Sequence, residues 1–172
     1  MYRQPLCEML RPEHDVHLHE HHQGEIEMDS GHESQPAIIE RSSEKANIWL
    51  KDVAAELGDR DLQYAYRVLR AVLHVLRDRL TIDVAAKLAA QLPTLIRGIY
   101  YEGWDPSHTP MPPHTVDTFL EHVVSEGRFS GETEASVAVT AVAAVLRKRL
   151  TLDEVDVTLA VMPEKLRVLI EV

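Results

Sequence analysis

The sequence predicts an all-α fold made by tandem duplication of a four-helix unit, as two helical bundles in a pseudo-twofold arrangement. The first observation is a repeat: AVLHVLRDRLT, beginning at Ala71, returns as AVAAVLRKRLT beginning at Ala141, and the offset of 70 holds without a gap from Leu50 to Arg97. The second is the spacing of apolar residues at three and four positions, the period of an amphipathic helix. The third is composition, since 45% of the residues are hydrophobic but only 7 are glycine. A duplicated, glycine-poor helical chain is therefore expected.

The first unit divides into four helices at its stop and cap residues. Gly58 ends the first helix, and Asp59 or Asp61 caps the second, because glycine suits a helix C-terminus and aspartate suits an N-cap. Thr81 is expected to cap the third helix in the same way. The expected helices of this unit, residues 45–102, are 45–57, 62–80, 82–92 and 94–101.

The second unit opens after a linker rich in proline. Four prolines in this linker exclude a regular helix, since proline lacks the backbone N–H and clashes with the preceding turn. Thr115 or Asp117 then starts the second unit, and Thr151 with Glu154 forms the pattern of a capping box. The linker is residues 103–114, the second unit is residues 115–172, and its last short helix is Leu166 to Ile170.

Residues 1–44 differ in kind from the rest of the chain. They hold ten acidic residues against three arginines, and six of the ten histidines. A segment with so much net charge and so few apolar side chains cannot bury enough surface to offset the entropy of ordering. We therefore expect a disordered, flexible acidic tail, with a short apolar anchor at Ala37 to Ile39.

The histidines of this tail are the strongest chemical signal in the sequence. If the segment were helical, His14, His17 and His21 would share one face, and neutral imidazoles so placed can bind zinc, nickel or copper. The alternative is a polar tail that accumulated histidines, with loose and unselective affinity for metals. No other cofactor is expected. The candidate metal ligands are His14, His17, His19, His21 and His22.

An aromatic loop between the two units is the second candidate site. It combines amphipathic rings with titratable groups, and such a loop can form a surface for a ligand or a partner. The alternative is that Tyr100 and Trp104 pack the junction between the units while the prolines stiffen the turn. The candidate residues are Tyr101, Trp104, Asp105 and His108.

One histidine and four arginines lie in the second expected helix and just after it. His74 stands in an otherwise apolar stretch, and its counterpart in the second unit is Ala144. A histidine in such a place is more often hydrogen-bonded than catalytic. The arginines are expected to form a solvated face of ion pairs with neighbouring aspartates, rather than a surface for phosphates. They are Arg67, Arg70, Arg77 and Arg79.

Several of these segments carry a family resemblance. They are Trp49-Leu50, the stretch from Leu69 to Thr81, Ala89 to Pro93, and Tyr100 to Trp104. Over about residues 45–172 the chain resembles the bacterial domain of unknown function family 2267 (DUF2267). The resemblance implies an all-helical tandem repeat from bacteria, and it brings no assigned reaction and no catalytic residues.

No motif commits the chain to a reaction. It has no glycine-rich phosphate loop, no Gly-x-Ser-x-Gly elbow and no His-Glu-x-x-His. A formal charge of −10 disfavours nucleic acid as a partner, and no apolar run approaches the ~18 residues of a membrane span. We therefore expect a cytoplasmic, non-enzymatic interaction or scaffold module with an unidentified protein partner, whose duplicated faces would also allow a homodimer. The alternatives are metal binding or buffering through the tail, and small-molecule binding at the Trp104 loop.

Overall fold

The computed structural model describes residues 36–111, 115–160 and 164. Over those residues the chain forms seven α-helices, one short 3-10 helix and no strand, so the all-α prediction is confirmed. The helix expected from Leu166 to Ile170 lies outside the described residues. The helices are α1 Ala37–Glu56, α2 Leu62–Arg77, α3 Ile82–Gln91, α4 Thr94–Tyr101, α5 Val116–Gly127, α6 Glu132–Arg149 and α7 Leu152–Leu159, with the 3-10 helix at Pro106–His108.

The first helix begins earlier than its apolar pattern indicates. α1 starts at Ala37 rather than Lys45, so residues that were expected to belong to the acidic tail form its first two turns. Two side chains of this segment donate hydrogen bonds to backbone carbonyls one turn earlier in the helix: Arg41 Nε donates to Ala37 O, and Ser42 Oγ donates to Ile38 O. Once a packed helix exists, each added residue gains a hydrogen bond at little cost, so the helix extends beyond its buried part.

The ends of the next elements follow local chemistry. At the C-terminus of α1, Gly58 takes φ +76°, which an L side chain rarely adopts, and Asp59 N–H returns to Ala54 O at 2.9 Å. At the N-terminus of α2, the Asp61 carboxylate accepts from Tyr64 N–H at 2.9 Å, as expected of an N-cap.

Three threonines were expected to cap helices, and only one of them does so. Thr115 Oγ1 accepts from Thr118 N–H at 3.3 Å and caps α5. Thr81 and Thr151 occupy the N-cap positions of α3 and α7, but neither side chain makes a capping hydrogen bond. The hydrogen bond expected from the Thr151 side chain in the capping box is therefore wrong, although the helix starts where the pattern placed it. The Glu154 side chain lies outside what the structure describes.

The described helices share one apolar core. Buried side chains from both halves belong to it, including Trp49 of α1, Leu73 of α2, Phe119 of α5 and Leu146 of α6. α2 is at its centre, because α2 contacts α1, α4, α5 and α6. Burying a leucine or phenylalanine side chain stabilises a fold by about 1.5–3 kcal/mol, so this shared core couples the two halves energetically.

Helix starts and helix contacts both follow the offset of the sequence repeat. α2 and α6 begin at Leu62 and Glu132, and α3 and α7 begin at Ile82 and Leu152. α1 packs against α6 while α5 packs against α2, and α3 contacts α7. Each half therefore places its first helix on the second helix of the other half.

Candidate functional site

Four charged side chains meet where α2 faces α5 and the end of α4. We call this group, Arg70, His74, Glu102 and Glu126, the charged seam. His74 is only 4% exposed. Its Nδ1 lies 2.9 Å from Glu126 Oε1 and its Nε2 lies 2.7 Å from the carbonyl oxygen of Ile99. The expectation that His74 is hydrogen-bonded is confirmed.

Both ring nitrogens of His74 lie within hydrogen-bond distance of oxygen atoms, one from a carboxylate and one from a backbone carbonyl. Because both ring nitrogens are engaged, His74 has none left to act as a general base on a substrate.

Arg70 completes the charged seam by joining two carboxylates from different elements. Its Nε donates to Glu102 Oε2 at 2.8 Å and its Nη1 to Glu126 Oε1 at 2.7 Å. The hydrogen bond from Arg70 lowers the pKa of Glu102, and the same bond raises the pKa of Arg70. Arg70 forms ion pairs with both carboxylates. The charged seam therefore connects α2 with α5 and with the end of α4 through ion pairs among its own residues.

Two further arginines were expected on a solvated face, and the structure places them in the interior. Arg77 is 4% exposed and Arg79 is 6% exposed. Arg77 Nη1 donates to the carbonyl oxygens of Tyr100 and Glu102, where the orphan carbonyls of α4 favour a cation. The expected ion pair with a neighbouring aspartate is present, between Arg77 Nε and Asp78 Oδ1 at 2.8 Å. The expected solvation is wrong, because sequence patterning cannot show that a neighbouring helix ends over α2.

Arg79 and Arg149 make equivalent contacts across the two halves. Arg79 Nη2 donates to His122 Nδ1 at 2.7 Å, and its guanidinium lies 4.9 Å from the centre of the Phe119 ring. Arg149 Nε donates to Asp52 Oδ2 at 2.6 Å. Arg79 and Arg149 are 70 positions apart, and so are their partners Asp52 and His122. Burial lowers the pKa of Arg79.

The loop residues proposed as a ligand surface separate into two pairs. Tyr101 and Trp104 stack with ring centroids 5.3 Å apart and pack against the core. Asp105 and His108 are exposed, with His108 Nδ1 2.9 Å from Asp105 Oδ2. The Asp105 carboxylate also accepts from the Ser107 hydroxyl and N–H, which lowers its pKa and holds the turn.

Tyr100 is fully buried and donates to Ala85 O at 3.2 Å, so it packs the core.

The tail histidines proposed as metal ligands lie outside the described residues. These are His14, His17, His19, His21 and His22. Within residues 36–111, 115–160 and 164, no three histidine, cysteine, aspartate or glutamate side chains come together as a metal site.

A cavity between the start of α1 and the start of α4 has the opposite character to the charged seam. Its volume is about 380 Å³, and cations from both helices line it: Arg41 and Lys45 of α1 and Arg97 of α4. Ile38, Leu92 and Pro93 provide its apolar lining. We call it the cationic cavity. Nothing in the sequence indicates this cavity, because Lys45 and Arg97 are 52 positions apart and no motif joins them.

Within the described part of the chain, the charges of the cationic cavity have no counter-charge. No aspartate or glutamate is among the described residues that line it, and neither Lys45 nor Arg97 forms an ion pair or side-chain hydrogen bond with them. The first turn of α4 opens into it with no side-chain cap, so amide N–H groups add positive potential there. Among the described residues this is a place where positive charge is available to a ligand.

The fold and these two sites define a class of protein: an all-helical module with a network of ion pairs in the charged seam and an open cationic cavity on its surface. A family model matches residues 46–169, that of an uncharacterized conserved protein family, DUF2267. The chain belongs to the DUF2267 family. No curated protein matches it.

Of the described helices, none alone is long and apolar enough to cross a membrane. Only α5 and α6 taken together have the length and composition of a membrane span, and they are bent by 87° relative to each other.

Proposed function

We propose that this protein is a non-enzymatic interaction module and that the cationic cavity is its partner surface. One observation carries the proposal: three cations converge on a 380 Å³ cavity with an apolar lining, and no carboxylate of that lining neutralises them. In the charged seam, by contrast, Arg70 is paired with two carboxylates of the fold. Unmatched charge beside apolar surface is what a binding site provides before its partner arrives.

Exposed aliphatic side chains near the cavity support the same surface. Ile38 lines the cavity and is 64% exposed, and the adjacent Ile39 is 49% exposed. These residues lie in the first turn of α1, which extends beyond the packed part of that helix. Burying a side chain of this size on binding contributes about 1.5–3 kcal/mol, which gives the surface an apolar anchor.

The architecture that we propose is a tandem duplication whose halves interleave around a pseudo-twofold axis. Support comes from the reciprocal contacts of α1 with α6 and of α5 with α2, the relation expected of two copies about a twofold axis. The pairs Arg79–His122 and Arg149–Asp52 support it at the level of side chains. In this proposal residues 45–102 and 115–172 are the two copies, residues 103–114 link them, and the tail precedes them.

Features confined to one copy carry function under this proposal. At the position 70 residues later, Lys45 is replaced by Thr115, whereas Arg97 is matched by Arg167. Arg41 precedes the first copy. The second copy therefore lacks the Lys45 charge of the cationic cavity. A duplicated scaffold that keeps its core and differs in its surface charges can present one specific site rather than two.

Metal binding through the tail and small-molecule binding at the Trp104 loop stay as alternatives. The loop has less support than the cavity, because Tyr101 and Trp104 pack on one another and Asp105 holds its own turn. For the tail, calorimetry with zinc and nickel compares the full chain with a variant that replaces the five candidate histidines by asparagine. A protein that acts through metal would lose tight, stoichiometric binding in the variant.

The interaction proposal is tested with matched baits. The full chain, Ile38→Ser and Ile48→Ser are used to capture partners from the native host, followed by quantitative mass spectrometry. Ile48 is a suitable control because it is 46% exposed on the same helix but does not line the cavity. We expect a partner that is retained by Ile48→Ser and lost by Ile38→Ser. Equal capture by both variants would contradict the proposal.

A further inference from the structure

The cationic cavity has a charge and a shape that select the chemistry of its occupant. Lys45 and Arg97 approach it from two different helices, and Arg41 lies one turn before Lys45 on α1. Arg41 Nε donates to Ala37 O, which leaves the Nη atoms of its guanidinium for an anion. All the formal charges of the cavity are therefore positive, and the amides at the start of α4 add to them.

We propose that the occupant is an acidic peptide segment of a protein partner, in which carboxylates alternate with aliphatic residues. This inference rests on the proposed function and names the partner's chemistry. Carboxylates complement the three cations and the helix N-terminus, because both arginine and backbone N–H groups donate well to carboxylate oxygens. An aliphatic residue between them would cover Ile38, Leu92 and Pro93.

Two features of the molecule disfavour other polyanions. The chain carries a formal charge of −10, which disfavours an extended nucleic acid as the occupant. Free phosphate would use the cations but leave the apolar lining uncovered. A short peptide with both carboxylate and aliphatic groups matches both parts of the lining within a cavity of 380 Å³.

The test measures peptide binding to the full chain by fluorescence anisotropy. The probe is a fluorescein-labelled peptide Glu-Leu-Glu-Glu-Leu-Glu, and its control is the same peptide with glutamine at every glutamate. We expect saturable binding of the acidic probe that weakens as NaCl rises from about 0.05 to 0.5 M, since salt screens exposed charges. Equal affinity of the two peptides, or no saturable binding of the acidic probe, would overturn the proposal.

Matched variants locate the binding. Lys45→Gln and Arg97→Gln should each weaken binding by about threefold to tenfold, because each variant removes one ion pair between the cavity and a peptide carboxylate. Lys51→Gln should leave binding unchanged, because Lys51 is an exposed lysine of the same helix outside the cavity. Far-ultraviolet circular dichroism checks that the variants are folded. Equal weakening by Lys45→Gln and Lys51→Gln would show a non-specific charge effect and overturn the proposal.

Competition separates the peptide from other anions. Inorganic phosphate and a single-stranded RNA are added to the preformed complex. Displacement of the peptide by low concentrations of either would assign the cavity to that anion and overturn the peptide proposal. If partner capture depends on Ile38 but the acidic peptide does not bind, the partner class is wrong while the proposed interaction surface stands.

Discussion

The hydroxyl of Tyr64 donates a hydrogen bond to Glu134 Oε1 at 2.7 Å, and these two residues lie 70 positions apart, the offset of the proposed repeat. Tyr64 is in the first turn of α2, and Glu134 is in the first turn of α6. In the interleaved arrangement that we propose, equivalent positions of the two copies meet only near the axis that relates them. The bond supports that proposal, with the first turns of α2 and α6 near the axis.

Removing the Tyr64 hydroxyl should cost measurable stability. Glu134 would lose one of its donors, so we expect Tyr64→Phe to lower the free energy of unfolding by about 1–2 kcal/mol. Tyr66→Phe is the control, because the described part of the chain holds no hydrogen bond to the Tyr66 hydroxyl. Urea denaturation measures both. A loss for Tyr66→Phe as large as that for Tyr64→Phe would contradict the role of this bond.

The same carboxylate should make stability depend on pH in the acid range. Hydrogen bonds from the Ser130 N–H, the Tyr64 hydroxyl and the Ser130 hydroxyl lower the pKa of Glu134 to about 2. Because the pKa of an unfolded glutamate is about 4.3, this stabilisation is complete above that pH and is lost as the pH falls towards 2.

Asp52 acts in the same direction: burial raises its pKa, but hydrogen bonds from Lys148 and Arg149 outweigh burial and lower it.

Glu134→Gln should therefore destabilise the protein at pH 7 by about 1 kcal/mol, and by progressively less as the pH is lowered. Glu132→Gln is the control in the same first turn of α6, and we expect it to leave the pH dependence unchanged. Chemical denaturation at a series of pH values gives the comparison. An unfolding free energy of Glu134→Gln that differs from the parent by the same amount at every pH would contradict the assignment.

The charged seam gives a third prediction. His74→Ala would remove one hydrogen-bond partner of Glu126 and one of the Ile99 carbonyl and would open a small cavity, so we expect a loss of about 2–3 kcal/mol in the free energy of unfolding. His108→Ala should change it by less than about 0.5 kcal/mol, since the His108 side chain is 82% exposed. Thermal and urea unfolding report both. A nearly neutral His74→Ala would show that the seam does not hold α2, α4 and α5 together.

A double-mutant cycle tests the contact between Asp52 and Arg149. With Asp52→Asn and Arg149→Gln, we expect a coupling free energy of about 0.5–1 kcal/mol that decreases in high salt, as for a partly exposed ion pair. The cycle of Asp52→Asn with Lys87→Gln should show no coupling, because Lys87 does not pair with Asp52. Additive effects in the first cycle would argue against the Asp52–Arg149 contact as a link between the halves.

Much of the helical fold could be predicted because its signals are local. The stop at Gly58, the cap at Asp61 and the start of α4 at Thr94 depend on residues within one turn of each boundary. The early start of α1 was missed because residues 37–44 show no apolar periodicity, yet they extend a helix that packing has already formed.

The sites could not be predicted in the same way because their members come from distant elements. Arg77 was expected in solvent, and it is buried because the end of α4 lies over it. The cationic cavity depends on where α4 begins relative to α1, which no periodicity specifies. One pair of contacts does follow the 70-residue offset of the sequence. Arg79 contacts His122, Arg149 contacts Asp52, and the two arginines, like their two partners, are 70 positions apart.

The most direct test of the cationic cavity as the partner surface is a nitrogen-15 NMR titration of the full chain with the acidic peptide. We predict that backbone amide shifts change with saturation and map to residues 38–45 of α1 and 91–97 around the start of α4, where the cavity lies. Shift changes that map instead to the charged seam at Arg70 and Glu126, or an unchanged spectrum, would contradict the account.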